Sequence, residues 1–254
     1  MKKEVAACVL GLLSLCSTPL LAEDAAPEAD KNKLAGFTLS GNLTLANEYV
    51  SRGLTASDHG VALQGTLNAN HDSGFYLGFF GSNVDFNDGD GSSLEIDLTA
   101  GYTREWSNGL SLDLGVIAYL YPKSPDWADY DYREYFLGGG YKLDSASLKV
   151  KYFYSDDYTG PVDESASYLD TQLAYELPVK VTLKGHYGYA FGDWYKVQNT
   201  RGIRGFSDYS LGAATELAGF GFEVNYVGVD NDGRFLNPSA HADGRGIFSV
   251  SKSF

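Results

Sequence analysis

From Gly36 to the last residue, apolar and polar side chains alternate with a period of two, in about 12 separate stretches of strand length. Phe37, Leu39, Leu43 and Leu45 alternate with Thr38, Ser40, Asn42 and Thr44. Leu94, Ile96, Leu98, Ala100 and Tyr102 do so with Glu95, Asp97, Thr99, Gly101 and Thr103. Leu148, Val150, Tyr152 and Tyr154 oppose Lys149, Lys151 and Ser155, and Val179, Val181 and Leu183 oppose Lys180, Thr182 and Lys184. The segments near 74–84, 134–143 and 168–177 follow the pattern less regularly. Successive side chains of a strand point to opposite faces, so each stretch has one apolar and one polar face. Beyond residue 22 no apolar run approaches the roughly 20 residues of a spanning helix. Such a chain can cross a membrane only as a closed barrel, whose ladder satisfies every backbone group.

The connections alternate too. Short ones fall at His71–Gly74, Trp106–Gly109, Asp144-Ser145, Leu177-Pro178 and Ala218-Gly219. Longer ones cover about 52–60, 85–93, 122–132, 156–167, 192–206 and 230–244. Tight turns on one side and long loops on the other are the layout of outer-membrane barrels, with both termini on the periplasmic side. A soluble sandwich fits less well, because charge stands at inward positions on many strands. The expected fold is therefore all-β: a transmembrane, antiparallel, up-and-down β-barrel of about 12 strands over residues 36–254. Gly246, Phe248, Val250 and Phe254 share one parity, broken only by Lys252. A terminal Phe on an alternating strand resembles the signal read by the barrel-assembly machinery, which makes that machinery an expected partner through Phe254.

Lys2 and Lys3 precede an apolar run from Val5 to Leu15 and a Leu20-Leu21-Ala22 junction, which reads as a signal peptide over 1–22, cut after Ala22. Leu15 stands where a lipoprotein signal at Cys16 would want a small residue. Residues 23–35 are charged and rich in Pro and Ala, a disordered periplasmic leader. Cys8 and Cys16 both lie in the signal segment, so no disulfide scaffold is expected. The net charge of -14 argues against nucleic acid as a partner. It suits a surface set in outer-membrane lipid, where acids recruit divalent cations among lipopolysaccharide phosphates. Nineteen Tyr and fourteen Phe favour pleated strands and membrane interfaces.

With the apolar parity toward lipid, the polar parity lines the lumen. Lys149, Lys151, Lys180 and Lys184 come from the seventh and ninth strands, and Glu95 and Asp97 from the fourth. Opposed arcs of charge would orient charged or dipolar solutes, or else would pair and plug the lumen. Arg52, at the external end of the first strand, has lumen parity and stands near a constriction or bridges to loop acids. Tyr119 and Tyr121 also have inward parity and could stack on sugars. Asp85, Asn87, Asp88 and Asp90 form an acidic loop with oxygen ligands for a cation, though without the distal Glu of an EF-hand. His186 and Ser210 share lumen parity on neighbouring strands, but no acid partner is evident, so no enzyme is expected. No residue set calls for a cofactor.

Tyr49-Val50-Ser51-Arg52-Gly53-Leu54, Asp72-Ser73-Gly74-Phe75-Tyr76, Ser82-Asn83-Val84-Asp85-Phe86, Leu94-Glu95-Ile96-Asp97-Leu98 and Gly101-Tyr102 follow one another in this order. Together with Tyr121-Pro122 and Glu134-Tyr135-Phe136, they resemble the TorF-like family of outer-membrane porins. The resemblance is strongest over 37–136 and implies a barrel in the outer membrane of a Gram-negative bacterium. It carries over no ligand residues. The expected function is a porin-like channel for passive diffusion of small hydrophilic solutes, with selectivity set by lumen charge. The alternatives are an oligosaccharide-type specific channel and a closed structural or adhesive surface barrel.

Overall fold

The computed structural model describes residues 33–87, 89, 91–237 and 242–254; the signal peptide and most of the expected leader lie outside them. Twelve long strands follow one another around a closed antiparallel barrel. They are β1 (Phe37–Ala46), β2 (Ala62–His71), β3 (Phe75–Ser82), β4 (Glu95–Glu105), β5 (Leu110–Leu120) and β6 (Tyr132–Leu143). The second half comprises β7 (Ala146–Ser155), β8 (Ala166–Glu176), β9 (Val181–Phe191), β10 (Gly205–Leu217), β11 (Phe220–Val229) and β12 (Arg245–Ser253). Each pairs with its sequence neighbour, and β12 closes the ring on β1 from Ser249↔Ala46 to Ser253↔Asn42. Phe254 continues the seam: Gly41 N donates to its carbonyl at 2.9 Å, and its own N donates to Gly41 O at 3.0 Å. Its ring lies where a Cβ on Gly41 would stand. Closure leaves none of the twelve described barrel strands with a free edge to pair with a stranger.

The short and long connections fall where the alternation places them, within a few residues. Lys33 and Leu34, inside the stretch expected as leader, pair with Thr38 and Phe37, because the chain turns back at Ala35–Gly36. Two short helices, α1 (Asp193–Val197) and α2 (Asn231–Leu236), lie in the last two long connections. Among the described residues no helix is long and apolar enough to cross a membrane, which says nothing of strands.

Burial is inverted relative to a water-soluble protein. Leu67, Leu137, Leu173, Leu211 and Val224 are exposed on the outer wall, whereas Glu95, Asp97, Glu134, Asp170 and Asp208 are buried inside. Exposed Tyr135, Tyr152, Tyr187 and Tyr226 gather toward the long-loop end, and Phe75, Trp106, Tyr141, Tyr175 and Phe220 toward the turn end. An apolar belt between two aromatic girdles is what a barrel wall needs against hydrocarbon and headgroups. Tyr49, Tyr119 and Tyr121 do not join a girdle; they pack inside.

Candidate functional site: the lumen

The lumen has two unlike halves. On the turn side, charged side chains lie along the wall. Lys151 on β7 reaches Asp113 on β5 at 2.6 Å, passing over Gly138 of β6, whose missing side chain leaves the space. Lys184 on β9 reaches Glu223 on β11 at 2.7 Å across β10, where the missing side chain of Gly212 makes room for the Asn225 amide, which also donates to Glu223 at 2.8 Å. Tyr76 crosses Gly101 to donate to Asp113 at 2.8 Å. These ion pairs keep part of their exposure, and Lys149 is exposed although it shares the inward parity of Lys151. Water therefore reaches this half. Lys180 differs from the sequence expectation: β9 begins only at Val181, and Lys180 sits in the turn with φ 59, exposed and off the lumen wall.

On the loop side the lumen is filled. The first long connection does not stay outside but folds inward as a hairpin, Val50–Ser51 pairing with Leu54–Thr55. Its two-residue turn is Arg52–Gly53, with φ of 46 and 79, as a type I′ turn requires. Arg52 thus lies at a hairpin tip rather than at the end of β1. Its Nη2 donates to both carboxylate oxygens of Glu134 on β6 at 2.7 Å, and Nη1 to the Tyr158 hydroxyl at 3.2 Å. The guanidinium also stands 4.3 Å from the centre of the Tyr168 ring on β8. Tyr119 donates to Glu134 at 3.0 Å. At the opposite wall Gly53 packs on Val229 and Asp208 so closely that a Cβ would lie 2.5 Å and 2.7 Å from their side-chain carbons. The hairpin therefore spans the lumen. Arg245 clamps its base, donating to Glu48 at 2.6 Å.

Aromatic rings complete the plug. Tyr119 stacks on Tyr132 at 4.4 Å, Tyr158 meets Trp194 edge to face at 5.2 Å, and Tyr195 meets Phe206 likewise at 5.8 Å. Burial pushes the loop phenols of Tyr158 and Tyr195 up, the latter to about 12, so both stay neutral hydroxyls. Tyr119 and Tyr121 have inward parity as read, but their faces are taken by neighbouring rings rather than offered to a sugar.

Glu95 and Asp97 face this buried half from β4, and the Tyr49 hydroxyl lies 3.4 Å from Glu95. His186 on β9 stands between Asp170 (Nε2 to Oδ1, 2.9 Å) and Asp208 (Nδ1 to Oδ1, 3.4 Å). Its acid partners were hidden in the sequence, Asp170 in an irregular segment and Asp208 beside a loop. Ser210 pairs with His186 in the ladder, but both ring nitrogens already face carboxylates, which leaves none to activate the hydroxyl. Asp85 and Asn87 form a local turn, the Asn87 N donating to Asp85 Oδ1 at 2.9 Å, while Asp88 and Asp90 lie outside the described residues. Among the described residues no cluster of three metal-ligating side chains occurs.

The family described as "Bacterial protein of unknown function (Gcw_chp)" matches residues 30–254. No curated protein matches the sequence. Among solved structures the fold is similar to the KdgM porin, with TM-score 0.56 and 12% identity over 85% of this chain and 99% of that one. It is also similar to the NanC porin, with TM-score 0.54 and 8% identity over 84% and 97%. A second KdgM structure, in complex with disordered oligogalacturonate, aligns with TM-score 0.54 and 11% identity, over 85% of this chain and 98% of that one.

Proposed function

The chain belongs to the Gcw_chp family, whose function is unknown, and from its barrel we propose that it is a porin-like outer-membrane channel for passive diffusion of small hydrophilic solutes. The observation that carries this reading is the split lumen. Its turn-side half is wetted and lined with ion pairs, and what closes the other half is the inturned hairpin together with rings of the later loops and of the upper wall. The fold shared with two porins supports it, as does the resemblance to TorF-like porins. In this reading the barrel sits in the outer membrane among lipid and lipopolysaccharide. Both termini are periplasmic, and Phe254 is the handle for assembly. Catalysis has no part in it. Lys149, Lys151 and Lys184 set selectivity in the wet half, and Arg52, Glu95 and Asp97 act at the constriction.

The test is planar-bilayer recording of the refolded protein. Stepwise conductance is expected, and replacing Lys149 and Lys184 together by Glu should move the reversal potential toward cations. Lys180→Glu, on the turn, should leave it unchanged. Absence of steps under every salt condition would favour a second reading, a closed surface barrel, which the filled loop-side half otherwise supports.

A further inference from the structure

We propose that the hairpin bearing Arg52 is a voltage-operated gate, drawn out of the lumen when the loop side is made electrically negative; this rests on the channel reading above. The hairpin hangs from the loop-side rim by both ends, between Ala46 of β1 and Ala62 of β2. Its tip meets Glu134 and Tyr168, each the third residue of its strand from that rim, and Asp208, the fourth. At about 3.3 Å per residue the tip stands roughly 10 Å down the wall. Beneath it a cavity of about 30 Å3 reaches Asp170, Gln172 and Ser210, and the wetted half follows. The base is tied together, Ala56 N donating to Tyr49 O at 2.8 Å and Tyr49 N to Ser57 Oγ at 2.9 Å. A tip held by so short a tether leaves its site only by swinging back toward the rim.

Among the described residues, Arg52 is the one ionised group that the inturned segments carry into the lumen. The rest of the hairpin, Val50, Ser51, Gly53, Leu54 and Thr55, is uncharged. Glu48 stays at the base on Arg245, and Asp58 and His59 lie unburied at the rim. The later loops add only the neutral rings of Tyr158, Trp194 and Tyr195 to the plug. Glu134 and Asp208 belong to the wall and do not travel. The sign of the effect therefore follows from one positive charge and one direction of travel, whichever acids attract Arg52 while it is docked. A wetted lumen conducts and a filled one does not, so the applied potential falls mainly across the plug, and Arg52 stands at its inner end. An elementary charge crossing the whole of 100 mV changes an equilibrium about 50-fold, and one crossing half of it about sevenfold.

Single-channel recording at both polarities tests this. Barrel orientation is read from a Trp127→Cys variant, whose exposed loop position takes a bulky thiol reagent from the loop side. Between about 50 mV of one polarity and the same of the other, the open-to-closed ratio should differ by about sevenfold to 50-fold, the higher value with the loop side negative. Arg52→Lys should keep that polarity and Arg52→Met should lose it. Exchange of the pair, Arg52→Glu with Glu134→Arg, should invert it. If the exchanged variant fails to fold, loss of polarity in Arg52→Met against its retention in Arg52→Lys decides the matter. Equal ratios for the wild type at both polarities, a higher ratio with the loop side positive, or polarity surviving in Arg52→Met overturns the gate. Silence at both polarities of wild type and of Gly53→Val, whose side chain has no room against Val229 and Asp208, removes the channel reading, and the gate with it.

Discussion

Leu211→Arg is expected to destabilise the folded barrel in lipid vesicles by about 2–4 kcal/mol, whereas Leu211→Ala should cost far less. Leu211 lies in the middle of β10, between Gly185 of β9 and Tyr226 of β11, and is 71% exposed on the outer wall. In water, a change at so exposed a site would stay within about 0.5 kcal/mol. In a bilayer the guanidinium must be held in hydrocarbon or drag headgroups and water to it. Equilibrium urea titration of vesicle-embedded protein measures the difference. A shift below about 0.5 kcal/mol would mean that this face meets water.

Arg52→Met should cost about 3–5 kcal/mol of the stability of the closed state, because it leaves a buried Glu134 without its counter-ion. Both side chains are almost wholly buried, at 1% and 0% exposed, so solvent screens the pair little. Tyr119 would remain as a donor to Glu134, but a phenol does not neutralise a carboxylate. The barrel offers a cheaper exit than unfolding: the hairpin can leave the lumen. We therefore expect larger or more frequent conductance steps from Arg52→Met than from wild type. Adding Glu134→Leu should restore much of the closure, since an apolar pair of similar volume removes the orphaned charge. A single variant as closed and as stable as wild type would show that the pair does not hold the hairpin.

The wall was legible in the sequence and the plug was not. A strand side chain has two choices of face, so the parity of Leu94 to Tyr102 determines where Glu95 and Asp97 point. The same rule misplaced Lys180, because a residue just before a strand is governed by turn dihedrals instead of by the pleat. The path of residues 47–61 follows from no periodicity. Arg52 has lumen parity as read from the strand before it, but only the wall reveals the partners, Glu134 for Arg52 and Arg245 for Glu48, that draw the loop inward. Arg52-Gly53 as a two-residue turn was a local clue to a hairpin, but not to its docking. Glu134 was visible only as part of a family motif. The triad of Asp170, His186 and Asp208 needs register across three strands, which one strand's pattern cannot supply.

The most direct test of the membrane barrel is a single-cysteine spin-label scan along β7, feasible because the sequence has no cysteine beyond Cys16. Labels at positions 148, 150 and 152 should be relaxed by oxygen, which partitions into lipid, and those at 147, 149 and 151 by a water-soluble nickel chelate. Labels at 148, 150 and 152 shielded from both reagents would instead place those side chains inside a soluble core, and would contradict the account.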